Sequence, residues 1–133
     1  MSLNPKATVA SRNLALDAVL DQLNNGFLRV YDGTQPADAD TAITTQVMLA
    51  QLTFGATAWA AASGASKTAN AITTGVAAAT GTATWYRLFK SDGTTAVADG
   101  SVGTATSNLV LNTVSIVTSA DVSATSFVYT MGA

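Results

Sequence analysis

The chain has 133 residues and a formal net charge of −2, and it contains neither Cys nor His. All eight acidic residues are Asp, and Ala, Thr and Ser together occupy 58 positions. Without Cys and His, the chain has no thiolate nucleophile, no Ser-His-Asp triad, no disulfide and no Cys- or His-based zinc site. We therefore expect a protein that is not an enzyme and uses no cofactor, because catalysis would have to rely on Asp, Lys, Tyr, Ser and Thr alone.

The length suits one domain, which at this size buries about two-thirds of its unfolded surface and can fold without disulfides or metal. The six basic residues are scattered and form no run, which argues against nucleic acid as a partner. No apolar stretch approaches the roughly 18–20 residues of a membrane span, and the first residues lack the apolar segment of a signal peptide. We therefore expect no membrane binding.

The N-terminal part predicts a flexible arm over residues 1–7 and one helix over about residues 8–24. Thr8 or Ser11 can cap the helix, and Asn24-Asn25-Gly26 is a typical stop signal. The apolar residues that recur at three- and four-residue spacing are Val9, Leu16, Val19, Leu20 and Leu23. So short a helix is marginal alone, so its apolar side must be covered either by its own domain or by a partner.

After Gly26 the period of the apolar residues changes to two, which predicts strands and no further helix. The strongest predicted strands are 27–31, 47–54 and 82–90, the last of which forms a hairpin with 94–99. Weaker strands are predicted at 57–61, 68–76, 108–112, 114–117 and 122–131. The polar stretch 32–46 between the first two strands is predicted to be a long surface loop. This pattern is typical of a mainly β fold, and we expect residues 8–133 to form one antiparallel, jelly-roll-like β-sandwich domain including the helix.

Two groups of Asp residues are candidate sites. Asp32, Asp38 and Asp40 share one loop and could converge on Ca²⁺, but the Gly and Glu of the EF-hand loop are missing. Asp residues in a polar loop more often form turns. The pairs Asp92-Gly93 and Asp99-Gly100 are likewise typical of turns, and nothing near them suggests a catalytic carboxylate pair.

Large side chains occur on both faces of the strand 82–90. Alternation places Trp85, Arg87 and Phe89 on one face and Tyr86 and Leu88 on the other. This predicts a strand that is covered on both sides or that lies near an interface.

Arg29 lies between Phe27 and Tyr31 on one face of the strand 27–31, as Arg87 lies between aromatic residues on its own strand. An Arg in such a position needs a partner or a path to water. Protein interfaces are enriched in Arg and aromatic residues. Both a subunit contact and an Arg that reaches solvent along the protein surface therefore remain open.

Three stretches carry a resemblance to a known group of proteins. They are GFLRVYDGTQPADADTAITTQVMLAQLTFG, TATWYRLFKSDGTTAVADGSVGT and LNTVSIVTSADVSATSFVYT, and together they cover more than half of the chain. They resemble small structural proteins of tailed bacteriophages and prophages, nearest to capsid cement (decoration) proteins with a jelly-roll β-sandwich. The similarity is a pattern of strands and turns, and it contains no catalytic motif.

The resemblance implies a structural virion protein on the capsid surface, made in the cytoplasm of the host bacterium. Such proteins commonly act as dimers and clamp neighbouring major capsid subunits after the shell expands. The resemblance therefore implies two partners, the major capsid protein of a tailed phage and a second copy in a homodimer.

For the partner contacts we single out the N-terminal arm and the loop 32–46. The individual residues that we expect to touch a partner are Asn4, Lys6, Arg29, Tyr31 and Arg87. The alternative function is a carbohydrate- or receptor-binding module of a phage tail or adhesin, which would need exposed aromatic rings, first of all those of Trp59 and Trp85.

Overall fold

A computed structural model describes residues 6–105 and 107–131 of the chain. Its helix α1 spans Val9–Leu20 and continues as one 3₁₀ turn over Asp21–Leu23. The strands are β1 (Phe27–Tyr31), β2 (Met48–Phe54), β3 (Ser66–Thr68), β4 (Ile72–Thr73), β5 (Gly75–Val76), β6 (Gly81–Thr82), β7 (Trp85–Phe89), β8 (Ala96–Gly103), β9 (Leu109–Leu111), β10 (Ser115–Ile116), β11 (Asp121–Val122) and β12 (Ala124–Thr130). Of the described residues, 41% are in strands and 12% in helices, so the protein is mainly β, as predicted.

Eight strands form one sheet in the order β3-β12-β9-β8-β7-β1-β2-β4. Neighbouring strands are antiparallel except β8 and β9, which run parallel. The prediction of a purely antiparallel fold is therefore wrong for this one pair. The two end strands, β3 and β4, are separated in sequence only by residues 69–71, so their near ends lie at most about 14 Å apart. The sheet therefore curls back towards itself into a β-sandwich-like fold.

A two-stranded ribbon extends the fold beside β2. In it β5 pairs with β11 and β6 pairs with β10, so the chain from 75 to 82 runs antiparallel to the chain from 115 to 122. The backbone N–H of Ala78 donates to the carbonyl of Leu49 in β2, which fixes the ribbon to the sheet.

The core lies inside the curled sheet, where the alternate positions of the central strands are apolar. Its fully buried aliphatic side chains include Leu28, Val30, Leu49, Leu52, Leu88 and Leu109. The ring of Phe127 makes edge contacts with Trp59 at 4.8 Å and with Tyr86 at 5.0 Å between centroids. Burying each large side chain contributes about 1.5–3 kcal/mol, so this interior supplies the main driving force for folding.

Helix α1 packs on its own domain, which confirms the first of the two interpretations. The Thr8 side chain accepts a hydrogen bond from the Ser11 backbone N–H and caps the helix. Leu16 and Leu20 are fully buried in the core, as is Leu23 in the 3₁₀ turn. The predicted apolar stripe is wrong only at its start, because Val9 is exposed.

Polar contacts fix α1 to the strand β3. Lys67 is buried, and its Nζ lies 2.5 Å from Asp17 Oδ1 and 3.1 Å from Asp21 Oδ1. The hydrogen bond from Lys67 lowers the pKa of Asp17, together with one from the Ala62 backbone. Burial alone would lower the pKa of Lys67, but its hydrogen bonds to Asp17 and Asp21 outweigh that effect and raise it. The ammonium is therefore kept charged and holds the helix in place.

The predicted segments agree with these elements to different degrees. The strand 27–31 coincides with β1, and the helix 8–24 is observed as α1 with its 3₁₀ turn. The predicted strand 57–61 is reduced to a single bridge between Trp59 and Ala69. Of the predicted arm, residues 1–5 lie outside the described residues, and residues 6–8 precede the helix without regular structure.

Candidate functional site

The outer face of β1 and β7 carries two arginines among four aromatic rings. We call this surface the Arg–aromatic face; it consists of Phe27, Arg29, Tyr31, Trp85, Arg87 and Phe89. The antiparallel register places Phe27 opposite Phe89, Arg29 opposite Arg87 and Tyr31 opposite Trp85. Tyr86 and Leu88 point into the core, which confirms the prediction that they lie on the face opposite to Trp85, Arg87 and Phe89. Every residue of β7 is buried, so the strand is covered on both faces.

Each arginine of this face lies over an aromatic ring. Tyr31 and Trp85 stack with their centroids 4.5 Å apart and an angle of 17° between the rings. The Cζ atom of Arg87 is 5.4 Å from the Trp85 ring, and that of Arg29 is 4.3 Å from the Phe89 ring. Arg87 is 4% exposed, whereas Arg29 is only half-buried. These contacts hold both guanidinium groups in fixed orientations.

Four polar side chains form a line across β2, β1, β7 and β8, which we call the polar row: Gln51, Arg29, Arg87 and Asp99. Arg87 donates from Nε and Nη2 to the two oxygens of Asp99, at 2.6 and 2.9 Å. This pairing raises the pKa of Arg87. Arg29 donates from Nε to Gln51 Oε1 at 2.7 Å. One arginine is therefore neutralised by a carboxylate, and the other is held by an uncharged amide.

The loop 32–47, between β1 and β2, is closed at its base. Asp32 and Val47 exchange two hydrogen bonds, one from the Asp32 backbone N–H and one from the Val47 N–H to Asp32 Oδ1. The carbonyl of Asp32 also accepts a hydrogen bond from Trp85 Nε1 at 2.9 Å. The base of the loop is thus fastened to the Arg–aromatic face.

The middle of the loop 32–47 is held by Arg87. Its Nη2 donates to the carbonyl of Asp38 at 3.2 Å. Asp38 Oδ1 in turn accepts from the Asp40 backbone N–H and the Thr41 hydroxyl, which forms a tight turn. The loop is longer than the roughly 12–15 residues beyond which structureless loops are uncommon, and such loops are usually functional. It is fixed in one shape by the strands beneath it.

The outward side of this loop is made of short polar and small side chains. Its exposed residues are Gly33, Thr34, Gln35, Ala37, Asp38, Asp40, Thr41, Ala42, Thr44, Thr45 and Val47. The half-buried positions Pro36, Ala39 and Ile43 alternate with them along the loop. The loop therefore presents a mostly polar outward surface above the strands.

The structure brings three of the five predicted contact residues together, namely Arg29, Tyr31 and Arg87. Tyr31 and Arg87 are buried by their own chain, and of the three only Arg29 keeps part of its surface exposed. Lys6 is exposed ahead of α1, and Asn4 lies outside the described residues.

Sequence reasoning missed Asp99 and Gln51, which complete the polar row. The prediction that Asp99-Gly100 forms a turn is wrong, because both residues lie inside β8. No simple count across the hairpin finds this pair: counting back from Phe89 opposite Ala96 places Ala98 opposite Arg87, and only the register shift between Leu88 and Phe89 brings Asp99 there.

The turn between β7 and β8 is held by Asp92, as predicted for Asp92-Gly93. Its carboxylate accepts hydrogen bonds from the Thr95 hydroxyl and from the backbone N–H groups of Thr95 and Thr94. These bonds, above all the one from the Thr95 hydroxyl, lower the pKa of Asp92 to about 2. The turn covers one side of Arg29, since a Cβ added at Gly93 would lie 3.3 Å from Arg29 Nη2.

We expect the stability that Asp92 contributes to be lost in acid. Because its folded pKa is below that of an unfolded Asp, the contribution is complete above about pH 4 and disappears as the pH falls towards 2. Urea unfolding measured between pH 7 and pH 2 tests this. The variant D92N should be less stable at pH 7 and should lose less stability over that acid range; an unchanged acid slope in D92N would contradict the assignment.

The other predicted sites have structural roles. Asp32 accepts from Val47, and Asp38 completes its own turn, so neither carboxylate is turned to a shared ion. Within residues 6–105 and 107–131, no three acidic residues are grouped so that they could hold a metal ion. Trp59 and Trp85 are 2% and 1% exposed and form no open platform.

Two small cavities open at the surface. One, of about 140 Å³, lies between residues 69–72 and 124–127. The other, of about 150 Å³, is lined by Tyr86, Asp99, Asn108 and Tyr129 among others.

In the described part of the chain, no helix has the length and apolar character to cross a membrane. No protein-family model, no curated protein and no solved structure matches the chain.

Proposed function

We propose that the protein is a structural virion protein that binds the outside of a tailed-phage capsid and stabilises contacts between major capsid subunits. The observation that carries the proposal is the loop 32–47, held as a fixed polar surface on the Arg–aromatic face by Trp85 and Arg87. Long loops positioned by a rigid scaffold are where binding function is concentrated. The resemblance of three sequence stretches to capsid cement proteins points to the same role.

A fixed loop suits a clamp because binding then costs little ordering entropy. Each contact can be modest, since many copies on one shell act together. The proposal includes a second copy of the chain as a partner, in a homodimer on the virion surface. It includes no nucleic acid, which is supported by the burial of two of the six basic residues, Lys67 and Arg87.

The carbohydrate- or receptor-binding alternative depends on exposed aromatic rings. Trp59 packs in the core against Phe127, and Trp85 lies beneath the loop 32–47 and stacks on Tyr31. Neither ring is open to a sugar, so attachment to a capsid is the function that we propose.

The proposal is tested by co-sedimentation of the purified protein with empty, expanded capsids of the phage or prophage whose genome encodes it. We expect saturable binding and a capsid that withstands higher temperature before it disassembles. If the protein does not co-sediment with the capsids at a protein concentration of about tens of micromolar, where even weak binding would be detected, the proposal is wrong.

Paired variants locate the contact. A42E/T45E places two charges on the exposed side of the loop 32–47, and A78E/V117E makes the same change of charge at exposed positions of the ribbon. We expect the loop variant to bind at least about tenfold more weakly, which corresponds to about 1.4 kcal/mol, and the ribbon variant to bind like the wild type. Equal losses in both variants would show that the loop is not the contact.

A further inference from the structure

The polar row carries a positive charge that the described chain does not neutralise. Both oxygens of Asp99 are used by Arg87, and the partner of Arg29 is the uncharged Gln51. Among the described residues, no carboxylate lies within 4.0 Å of Arg29. The nearby turn residue Asp92 directs its carboxylate to its own turn. The row therefore contains two cations and one anion.

The position of the two arginines makes this excess charge unfavourable. Arg29 and Arg87 are directly opposite each other on adjacent antiparallel strands. Like charges in such positions repel and destabilise the sheet. A Glu at position 51 would remove the repulsion, yet the sequence has Gln51, which orients Arg29 without neutralising it. An added anion would thus be attracted to Arg29.

Arg29 is also held in a binding geometry. Its Nε is fixed by Gln51, its guanidinium lies 4.3 Å from the centre of the Phe89 ring, and the Phe27 ring lies at 6.0 Å. Besides its bond to Gln51, Arg29 lies beside the Tyr31 hydroxyl, and because the residue is only half-buried, the chain leaves part of Arg29 exposed. Burial raises the pKa of the neighbouring Tyr31 and outweighs the lowering effect of Arg29, so the Tyr31 hydroxyl stays protonated beside the guanidinium.

We propose that Arg29 is a binding site for one carboxylate, supplied by an Asp or Glu side chain of a partner protein. A guanidinium matches a carboxylate through two parallel hydrogen bonds. The row has one excess positive charge, which one carboxylate balances, whereas a phosphate dianion would add negative charge beside Asp92 and the acidic loop 32–47. That the partner is the capsid subunit rests on the proposed function; the carboxylate site itself rests on the polar row.

The site can be tested without any capsid. The chain has three arginines, Arg12, Arg29 and Arg87, so three Nε–H signals are expected in a ¹⁵N-correlated NMR spectrum. Acetate is titrated against chloride at constant ionic strength. We expect a saturable shift of the Arg29 signal, assigned with R29K, while the other two stay in place. Parallel movement of the Arg12 signal, or a saturable shift at about tenfold lower concentrations of phosphate, would overturn the assignment.

The variant Q51E provides the decisive comparison, because it places a carboxylate on the same Nε from within the chain. We expect the Q51E variant to unfold at a temperature about 3–6 °C higher and to lose the acetate response. A response that persists in Q51E would show a general effect of the salt and overturn the site.

On capsids, Q51E should bind at least about fivefold more weakly than the wild type, whereas Q22E, the same change at an exposed position of the 3₁₀ turn, should bind normally. Unchanged capsid binding by Q51E would overturn the partner contact. If the wild type itself binds no capsid, the proposed function fails, while the acetate titration still decides whether Arg29 is a carboxylate site.

Discussion

Replacing Arg87 with Gln is expected to lower the free energy of unfolding by about 3–5 kcal/mol, because it leaves a buried carboxylate without its cation. Arg87 and Asp99 are both almost completely buried, with side chains 5% and 4% exposed. The variant also loses the hydrogen bond to the carbonyl of Asp38, which holds the loop 32–47. Urea unfolding measures the first effect, and faster amide hydrogen exchange in the loop measures the second.

The matched control for this variant is its neighbour across the strands. R29Q makes the same chemical change on the same face, but Arg29 has no carboxylate partner among the described residues. Its removal relieves a repulsion, so we expect a change below about 1 kcal/mol in stability and normal exchange in the loop. If R87Q and R29Q lose similar amounts of stability, the two arginines contribute equally to folding, and the different roles described for them in the polar row are wrong.

Replacing Gly26 with Ala is expected to cost at least about 2 kcal/mol, because the added methyl group has no room. A Cβ at this position would lie 2.4 Å from the carbonyl oxygen of Phe89 and 2.8 Å from that of Leu23. Both are backbone atoms, so no change of side-chain rotamer relieves the clash. Either β1 moves away from the end of β7 or the 3₁₀ turn unwinds, and the midpoint of urea unfolding should fall.

Gly55, at the end of β2, provides the comparison for that variant. No heavy atom lies within 4 Å of a Cβ added there. We expect G55A to be neutral or to stabilise the protein by up to about 1 kcal/mol, since it restricts the unfolded chain. A G26A variant as stable as G55A would mean that β1 and β7 approach less closely than described.

The segments that sequence predicted well are those with large side chains in a clear period. β1 and β7 were located because Phe27, Tyr31, Trp85 and Phe89 alternate with core residues. The start of α1 was marked by Thr8, and its end by Asn24-Asn25-Gly26, where Asn25 has a positive φ of 60°. In these segments, the local conformational preferences agree with the final packing.

The Ala-rich part of the chain was predicted poorly. The expected strand 68–76 is divided among the short strands β3, β4 and β5, because small side chains give little periodic signal. Lys67 carries no local sign of burial, since its partner Asp17 is 50 positions away on α1. Contacts of this kind depend on tertiary packing, which the local pattern does not contain.

The candidate site was predicted in part. The faces of β1 and β7 followed from alternation, but the partners of their arginines did not. Asp99 was hidden because Asp99-Gly100 has the composition of a turn; the glycine is there because the Tyr86 ring lies over it, and a Cβ would be 2.3 Å from the Tyr86 hydroxyl oxygen. The contact between Arg87 and Asp38 spans 49 positions and arises only when the loop folds back.

The curl of the sheet has a consequence for its two end strands. Exposed strand edges can template the pairing of further chains and lead to aggregation. Here one edge strand, β3, is fastened to α1 through Lys67, and the other, β4, is two residues long and passes directly into the ribbon. Neither end of the eight-stranded sheet therefore offers a long, free edge on which another copy of the chain could pair.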